Sequence, residues 1–405
     1  MGCRQAVPAW DTKTKEWVRQ GQLVVVGIAQ EQHADRCRLL AQWRQLGWPI
    51  LHDPINVMQV TGVPIEVTID EYGIVRSLRP NLETLERDFL DRTFASDDAT
   101  PPEGPRMAIR PDLAVLRRLA EQDGSYRAWR DLGDALVLWA GPAGVDEAIH
   151  AYTQALHAQP DDGDAHFRLG VCYRMRSESE YPRTGDFQMA VDHWMTARSL
   201  QPNQYIWRRR VEQYGPRRTK PYPFYDWVPT ATREIRARGD QPVELKASPT
   251  GSELAGPMPG WEAGPGDGKP LDPADRITRD TQGLVLAEVT VVPPKVKPGE
   301  AVRVYLTLRP NDARKAYWSD EGTPLRVRVD LPSGWWAQPQ RLIAAPADRS
   351  DRSQPLRVEC DIGTPTDAKG TSRLLGYALY QVCNAEDETR RLLCQDIPIT
   401  ITVSE

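Results

Sequence analysis

The sequence predicts a multidomain chain of three unlike parts: an α/β segment, an all-α segment of short helical repeats and an all-β sandwich. Three observations carry that prediction. Residues up to about Phe94 alternate apolar runs with helix-spaced apolar positions, residues 126–202 contain one pattern twice, and from Gln282 apolar and polar residues alternate at a period of two. A chain of 405 residues is also too long for one ordinary core. Pro, Asp and Gly concentrate over 96–111, and Pro and Gly over 231–280, most densely from Ala247 to Pro273. Both stretches read as linkers, which sets the parts at 1–95, 112–230 and 281–405.

In the first part, Ala9 to Gln20 is helix-like, and Leu23-Val24-Val25-Val26-Gly27-Ile28 is a continuous apolar run suited to a strand buried on both faces. Ala34 to Leu46 places Cys37, Leu40, Trp43 and Leu46 at helical spacing. Ile50 to Asp53 and Pro64 to Asp70 read as strands, the second joined to Ile74-Val75-Arg76 through the turn Glu71-Tyr72-Gly73. An amphipathic helix is expected from about Leu82 to Phe94. The predicted order is helix, strand, helix, strand, strand, helix.

Ahead of these elements stands Met1-Gly2-Cys3-Arg4-Gln5-Ala6-Val7-Pro8, which resembles the second half of the C-x-x-C-R-x-x-x-P element of thioredoxin-type proteins. In that element the first cysteine, at a helix N-terminus, is the nucleophile, and the second, one turn inside, resolves the mixed disulfide. Cys3 has the resolving place, and the nucleophile would fall one residue before Met1. The other reading is an ordinary exposed thiol. The element order, with Asp53-Pro54, Val60-Thr61-Gly62-Val63-Pro64 and Ile69 to Val75, is similar to the redoxin group, especially bacterial thiol-disulfide oxidoreductases of the cytochrome-maturation kind. The resemblance implies that Pro64 is a cis-proline facing the redox helix and that Val63 offers backbone groups to a substrate strand; a trans proline at a strand start is the alternative. It also implies a strand before the redox helix, inside the sheet, that this sequence lacks. Its loss would leave buried backbone groups unpaired. A start further upstream is therefore expected, and a selenocysteine codon read as a stop is one specific cause; a wrongly chosen start or a cloned fragment would give the same sequence.

Between the linkers, Trp129-x2-Leu132-Gly133-x2-Leu136 with Ala148-x3-Tyr152-x2-Ala155-x4-Pro160 follows the tetratricopeptide pattern. His166-x2-Leu169-Gly170-x2-Tyr173 with Ala190-x3-Trp194-x2-Ala197-x4-Pro202 repeats it. Gly133, Ala148, Gly170 and Ala190 let paired helices approach, while Tyr152 and Trp194 fill the space between units. Two units bury too little alone, so capping helices are expected over Leu113–Gln122 and Tyr205–Tyr214. The groove of such an array implies a protein or peptide partner; packing against the neighbouring parts of the chain is the plainer expectation.

In the third part, Leu284–Val291, Ala301–Leu308, Leu325–Leu331 and Ile399–Val403 alternate as antiparallel strands of an immunoglobulin-like sandwich. Lys297-Pro298-Gly299-Glu300, Trp318, Leu331-Pro332-Ser333-Gly334-Trp335 and Gly376 to Cys383 are similar to the N-terminal periplasmic domain of the bacterial transmembrane thiol-disulfide interchange protein. In that domain a cysteine pair is the redox centre. Here Cys383 and Cys394 flank the polar segment Asn384 to Leu393, which could turn back as a hairpin; a redox pair, a structural disulfide and two buried thiols all remain open. Cys37, Cys172 and Cys360 read as core residues.

The six histidines show no zinc spacing with cysteine, and no phosphate loop, dinucleotide fingerprint or nucleophile elbow is present, so neither metal nor cofactor is expected. Arg208-Arg209-Arg210 with Arg217, Arg218 and Lys220, interleaved with aromatics, is weighed against a formal charge of -5 and read as a solvated helix face rather than a nucleic-acid surface. No membrane span or signal peptide is visible; an envelope location would suit an N-terminally truncated sequence and a cytoplasmic one the sequence as it stands. The expected function is a thiol-disulfide oxidoreductase-like redoxin with a repeat adaptor and an unknown redox partner, inactive without the upstream nucleophile. The alternative is a non-catalytic interaction scaffold with a degenerate redoxin part.

Overall fold

The computed structural model describes residues 2–94, 110–220, 222–254, 261–263, 271–272, 274–319, 324–344 and 351–404. Helices hold 38% of the residues and strands 24%, in several sheets, so the chain is a mixed, multi-part fold. Backbone contacts divide it into two compact units: residues 1–179, 196–208 and 227–248 in the first, and 180–195, 209–226 and 249–405 in the second. Most of the expected linker 96–111 lies outside the described residues.

The first unit opens with α1 (Gly2–Arg19), β1 (Gly27–Ala29), α2 (Ala34–Arg44), β2 (Ile50–His52), β3 (Val67–Ile69) and β4 (Val75–Leu78), then a single π-type turn, Glu86–Leu90, where a longer helix was expected. β1 and β2 pair in parallel, from Gly27 opposite Ile50 to Ala29 opposite His52, and β3 and β4 pair antiparallel. The two pairs are separate two-stranded sheets. The Leu23–Ile28 run is not buried on both faces: Val24 is 82% exposed and Ile28 45%. A strand is covered on both faces only inside a sheet, and β1 has β2 alone as a neighbour among the described residues. Ile69, Val75, Leu78 and Leu51 are exposed in the same way.

Five helices follow in the same unit or enter it: α3 (Leu113–Asp123), α4 (Tyr126–Ala135), α5 (Val145–Ala158), α6 (Gly163–Ser177) and α7 (Asp186–Leu200). Their starts are local chemistry. The carboxylates of Asp112 and Asp162 and the hydroxyl of Ser125 accept backbone N–H groups of the first turns of α3, α6 and α4. Gly133 lets α4 and α5 close, since a Cβ there would lie 2.7 Å from the Tyr152 ring. Gly163 does the same beneath Trp207 of α8 (Tyr205–Glu212), whose indole stacks on Phe167 at 5.8 Å.

The segment 231–280 is not simply a linker. α9 (Val228–Ala237) runs into it because Val228, Ala231 and Ile235 share one buried face, and Trp227 stacks on Trp43 of α2 at 5.8 Å. A short α10 (Gly251–Leu254) is closed by Thr250 and Glu253, each side chain accepting the other's backbone N–H.

In the second unit, β5 (Trp261–Ala263), β6 (Thr278–Arg279), β7 (Val285–Val292), β8 (Lys295–Val296), β9 (Ala301–Pro310), β10 (Ala316–Trp318), β11 (Arg326–Asp330), β12 (Trp336–Gln338), β13 (Arg341–Ala344), β14 (Leu356–Gly363), β15 (Gly370–Asn384) and β16 (Arg390–Val403) form two sheets. One runs β5-β13-β11-β15-β16-β6, with β10 on β15 and β8 on β16; the other runs β12-β14-β9-β7. Val302, Val304, Leu306 and Leu308 alternate into the core with Val327, Val358, Ile362 and Tyr380.

The other face of β9 and β14 is buried too, and it is charged. Arg303 donates to Glu359 at 2.6 Å and to Asp361 at 2.9 Å, while Glu359 accepts the N–H groups of Gly251 and Ser252 and Asp361 that of Arg217. Tyr305 donates its hydroxyl to the carbonyl of Tyr214, and Phe187, Tyr214 and Trp194 continue the aromatic packing at 5.2 to 5.9 Å. This packing explains why helical residues expected to form one part are shared between two units. It also corrects the basic run. Arg210 is 1% exposed, and Lys220 donates to the carbonyls of Glu212 and Gln213, its burial bringing the ammonium down to about 7, so Arg210 and Lys220 are not part of a solvated face.

Candidate functional site

Cys3 lies on the first turn of α1 and is half-buried. Pro8 sits one turn further along the same helix. The Val63–Pro64 peptide bond is cis, and the proline ring lies against the start of α1: a Cβ added to Gly2 would stand 3.1 Å from Pro64 Cδ. The Pro64 ring thus packs on the backbone of Gly2, the residue before Cys3.

The loop that presents Pro64 is built from its own polar side chains. Asp53, at the end of β2, accepts the N–H of Val57 at 2.9 Å, that of Met58 at 3.3 Å and the side-chain amide of Gln30 at 2.7 Å. Asn56, fully buried at a φ of 55°, closes a ring with Val60 through two hydrogen bonds of 3.1 Å. Two contacts then fix this loop to helices. Arg168 of α6 donates Nε to the carbonyl of Ile55 at 3.3 Å, and the N–H of Tyr205, at the start of α8, donates to that of Thr61 at 3.3 Å. Arg168 is held in turn by Asp134 of α4 at 2.9 and 3.0 Å, and Asp134 accepts the Tyr152 hydroxyl at 2.7 Å. Burial raises the Asp134 carboxyl above its ordinary range, against the pull of Arg168.

Arg168, Tyr205, Asp134 and Asn56 are site-supporting residues that sequence reasoning missed. Arg168 and Ile55 are 113 positions apart, and no local pattern signals such a contact. α6 and α8 of the repeat segment are contacted here by the chain's own Ile55–Thr61 loop.

The register of the last hairpin separates Cys383 from Cys394, which corrects their reading as a redox or structural pair. Cys383 stands opposite Arg390, and Cys394 opposite Leu379. The two positions are offset by four residues along the strand, about 13 Å at ~3.3 Å per residue, whereas a disulfide needs Cα atoms within roughly 7 Å. Their surroundings differ as well. Cys394 donates its thiol to the carbonyl of Ile277 and receives Arg279 Nη1 at 3.8 Å, while Cys383 pairs along the strand with Tyr317. Peptide mapping of the folded chain after mild oxidation is expected to recover these cysteines unlinked to each other; a Cys383–Cys394 cross-linked peptide would overturn this register. Cys37, Cys172 and Cys360 are buried, and burial pushes the Cys360 thiol up to about 12.

Among the described residues no group of three His, Cys, Asp or Glu side chains is arranged to hold a metal, and no helix is long and apolar enough to cross a membrane. No protein-family model and no curated protein matches the chain. Among solved structures it is similar to AvmM, which catalyses macrocyclization in alchivemycin A biosynthesis, at 13% identity over 30% of this chain and 90% of that one, with a TM-score of 0.19. It is also similar to WR4, a C. elegans MSP family member, at 12% identity over 29% of this chain and 97% of that one, TM-score 0.17. A third is AggA, the major subunit of aggregative adherence fimbriae type I from Escherichia coli, at 8% identity over 32% and 98%, TM-score 0.17. Likenesses at this level carry no weight for fold or activity.

Proposed function

We propose that the Cys3–Pro64 site is the resolving half of a thiol-disulfide exchange centre of the redoxin kind. The observation that supports this most is the packing of the Pro64 ring on Gly2, next to Cys3 in the first turn of α1. In a centre of that kind, a nucleophilic thiolate or selenolate attacks a substrate disulfide and expels one substrate thiol. Cys3 then attacks the mixed bond, releases the second thiol and leaves the site oxidised by two electrons. A dithiol donor restores it. The cis edge at Val63 is read as the place where the extended backbone of the substrate lies.

The reading frame ahead of Met1 tests this, together with insulin reduction by the chain it encodes. A Cys or in-frame UGA codon directly before Met1, after a strand-coding stretch, with turnover lost in Cys3→Ser, is the expected result. An upstream stop, unrelated sequence or turnover untouched by Cys3→Ser overturns it. The second reading, a non-catalytic scaffold, is favoured by one observation: α6 and α8 hold the Pro64 loop at Ile55 and Thr61, so the helices support this part whether or not it turns over.

A further inference from the structure

We propose that His33 and Glu178 form a proton-operated latch that ties the start of α2 to the end of α6. Its basis is separate from the redox reading. His33 immediately precedes α2 and Glu178 immediately follows α6, and the two side chains meet with His33 Nε2 2.9 Å from Glu178 Oε2. The other carboxylate oxygen of Glu178 lies 2.6 Å from Arg174 of α6. The second ring nitrogen, Nδ1, faces Glu31 Oε1 at 3.7 Å and makes no hydrogen bond. The imidazole is therefore bracketed by two carboxylates, and it is 8% exposed.

This geometry distinguishes the two protonation states. An imidazolium presents an N–H to each carboxylate. A neutral ring can present only one, and leaves a lone pair against the other oxygen in a place water does not reach. Every neighbouring charge bears on the balance. Glu31 precedes α2 and also accepts the N–H of Gln32 at 2.8 Å, while Asp35 of α2 accepts the N–H groups of Arg36 and Lys246. Arg36 of α2 opposes the ring's charge, and Arg174 shares Glu178 with it. Burial is the largest single influence and disfavours the charge; the charge and hydrogen bond of Glu178, with Glu31, together outweigh burial and Arg36, so the ring is raised above its ordinary value.

The sign follows from linkage. With the folded value raised, the stabilisation is complete below the unfolded value near 6.5 and is lost as pH rises through the folded one. Loss of the proton loosens the Gln30–His33 loop from α6, where Gln32 also reaches the carbonyl of Val171 at 3.5 Å.

Hydrogen exchange of the full chain between pH 5.5 and 8.5, corrected for intrinsic rates, tests the latch. Peptides spanning 30–37 and 171–179 are expected to lose about tenfold in protection across the transition, while the β15–β16 hairpin holds. In His33→Gln and Glu178→Gln that pH dependence is expected to vanish. Should either variant fail to fold, the NMR titration of the six wild-type imidazoles decides, because one must titrate above the ordinary range. Protection independent of pH in the wild type, an unchanged profile in a folded variant, or no imidazole with a raised value would each overturn the proposal.

Discussion

Arg303→Met is expected to lower the unfolding free energy of the sandwich by about 3 to 5 kcal/mol, among the larger effects available to a single substitution in this chain. Arg303 is 3% exposed, and it answers two carboxylates, Glu359 and Asp361, that are 4% and 5% exposed. Removing it leaves both buried without their cation, and the cost is that of the stranded charges rather than of the lost contacts. Glu359→Gln is a milder change. Its amide oxygen, in the place of Oε2, can still accept from Ser252 and Arg303, only the Gly251 bond to the other oxygen is lost, and Arg303 keeps Asp361. The ordering, Arg303→Met well below Glu359→Gln in denaturant midpoint, is the test. Equal midpoints, or a loss under about 1 kcal/mol for Arg303→Met, would mean that this face of β9 and β14 is hydrated.

Such a cluster shows where sequence reading reached its limit. The alternation over Ala301–Leu308 gave the strand and its core face correctly, because Val302, Val304, Leu306 and Leu308 are apolar at a period of two. By the same alternation Arg303 and Tyr305 lie on the opposite face. They are buried there, since residues 209–226 and 249–254 cover that side, and nothing in an alternating strand announces a second cover. Register was equally hidden. The polar stretch after Cys383 signals a turn, but Asn384 donates its N–H to the carbonyl of Thr389, so β16 begins at Arg390 and carries Cys394 four positions past the residue opposite Cys383. A shift of a few residues in the turn decides whether two cysteines meet.

The Pro64 region was more legible, because its chemistry is local. Asp70 illustrates why. Its carboxylate accepts the N–H groups of Tyr72 and Ile74, and these, with Arg76, hold it below the ordinary carboxylate range; the same residues read as a turn from their order alone. The apolar run at Leu23–Ile28 misled for the opposite reason. Its composition asks for a strand between two others, and whether it is buried depends on strands elsewhere rather than on itself. The Arg168 anchor belongs to the same class, being a contact across 113 positions.

Replacing that anchor is expected to produce the second large effect. Arg168→Met removes the cation that faces Asp134, whose carboxyl is mostly buried and keeps the Tyr152 hydroxyl and the weaker pull of the Arg130 charge, and it takes the donor from the carbonyl of Ile55. A loss of about 3 kcal/mol in the first unit is expected from the unpaired acid. The Asp134 carboxyl, already raised by burial, moves further up without Arg168. The variant therefore regains stability as pH falls and the acid takes a proton, and it does so from a higher pH than the unaltered chain, in which the same carboxyl is raised less. The double variant Arg168→Met with Asp134→Asn separates charge from loop anchoring, since it removes the stranded charge and leaves the loop untethered. Its stability should exceed that of Arg168→Met alone, while hydrogen exchange over 53–64 stays fast in both. Additive losses would show that Arg168 and Asp134 do not act as a pair. Slow exchange over 53–64 in the double variant would show that the Pro64 loop is held by its own Asp53 and Asn56 bonds and owes nothing to α6.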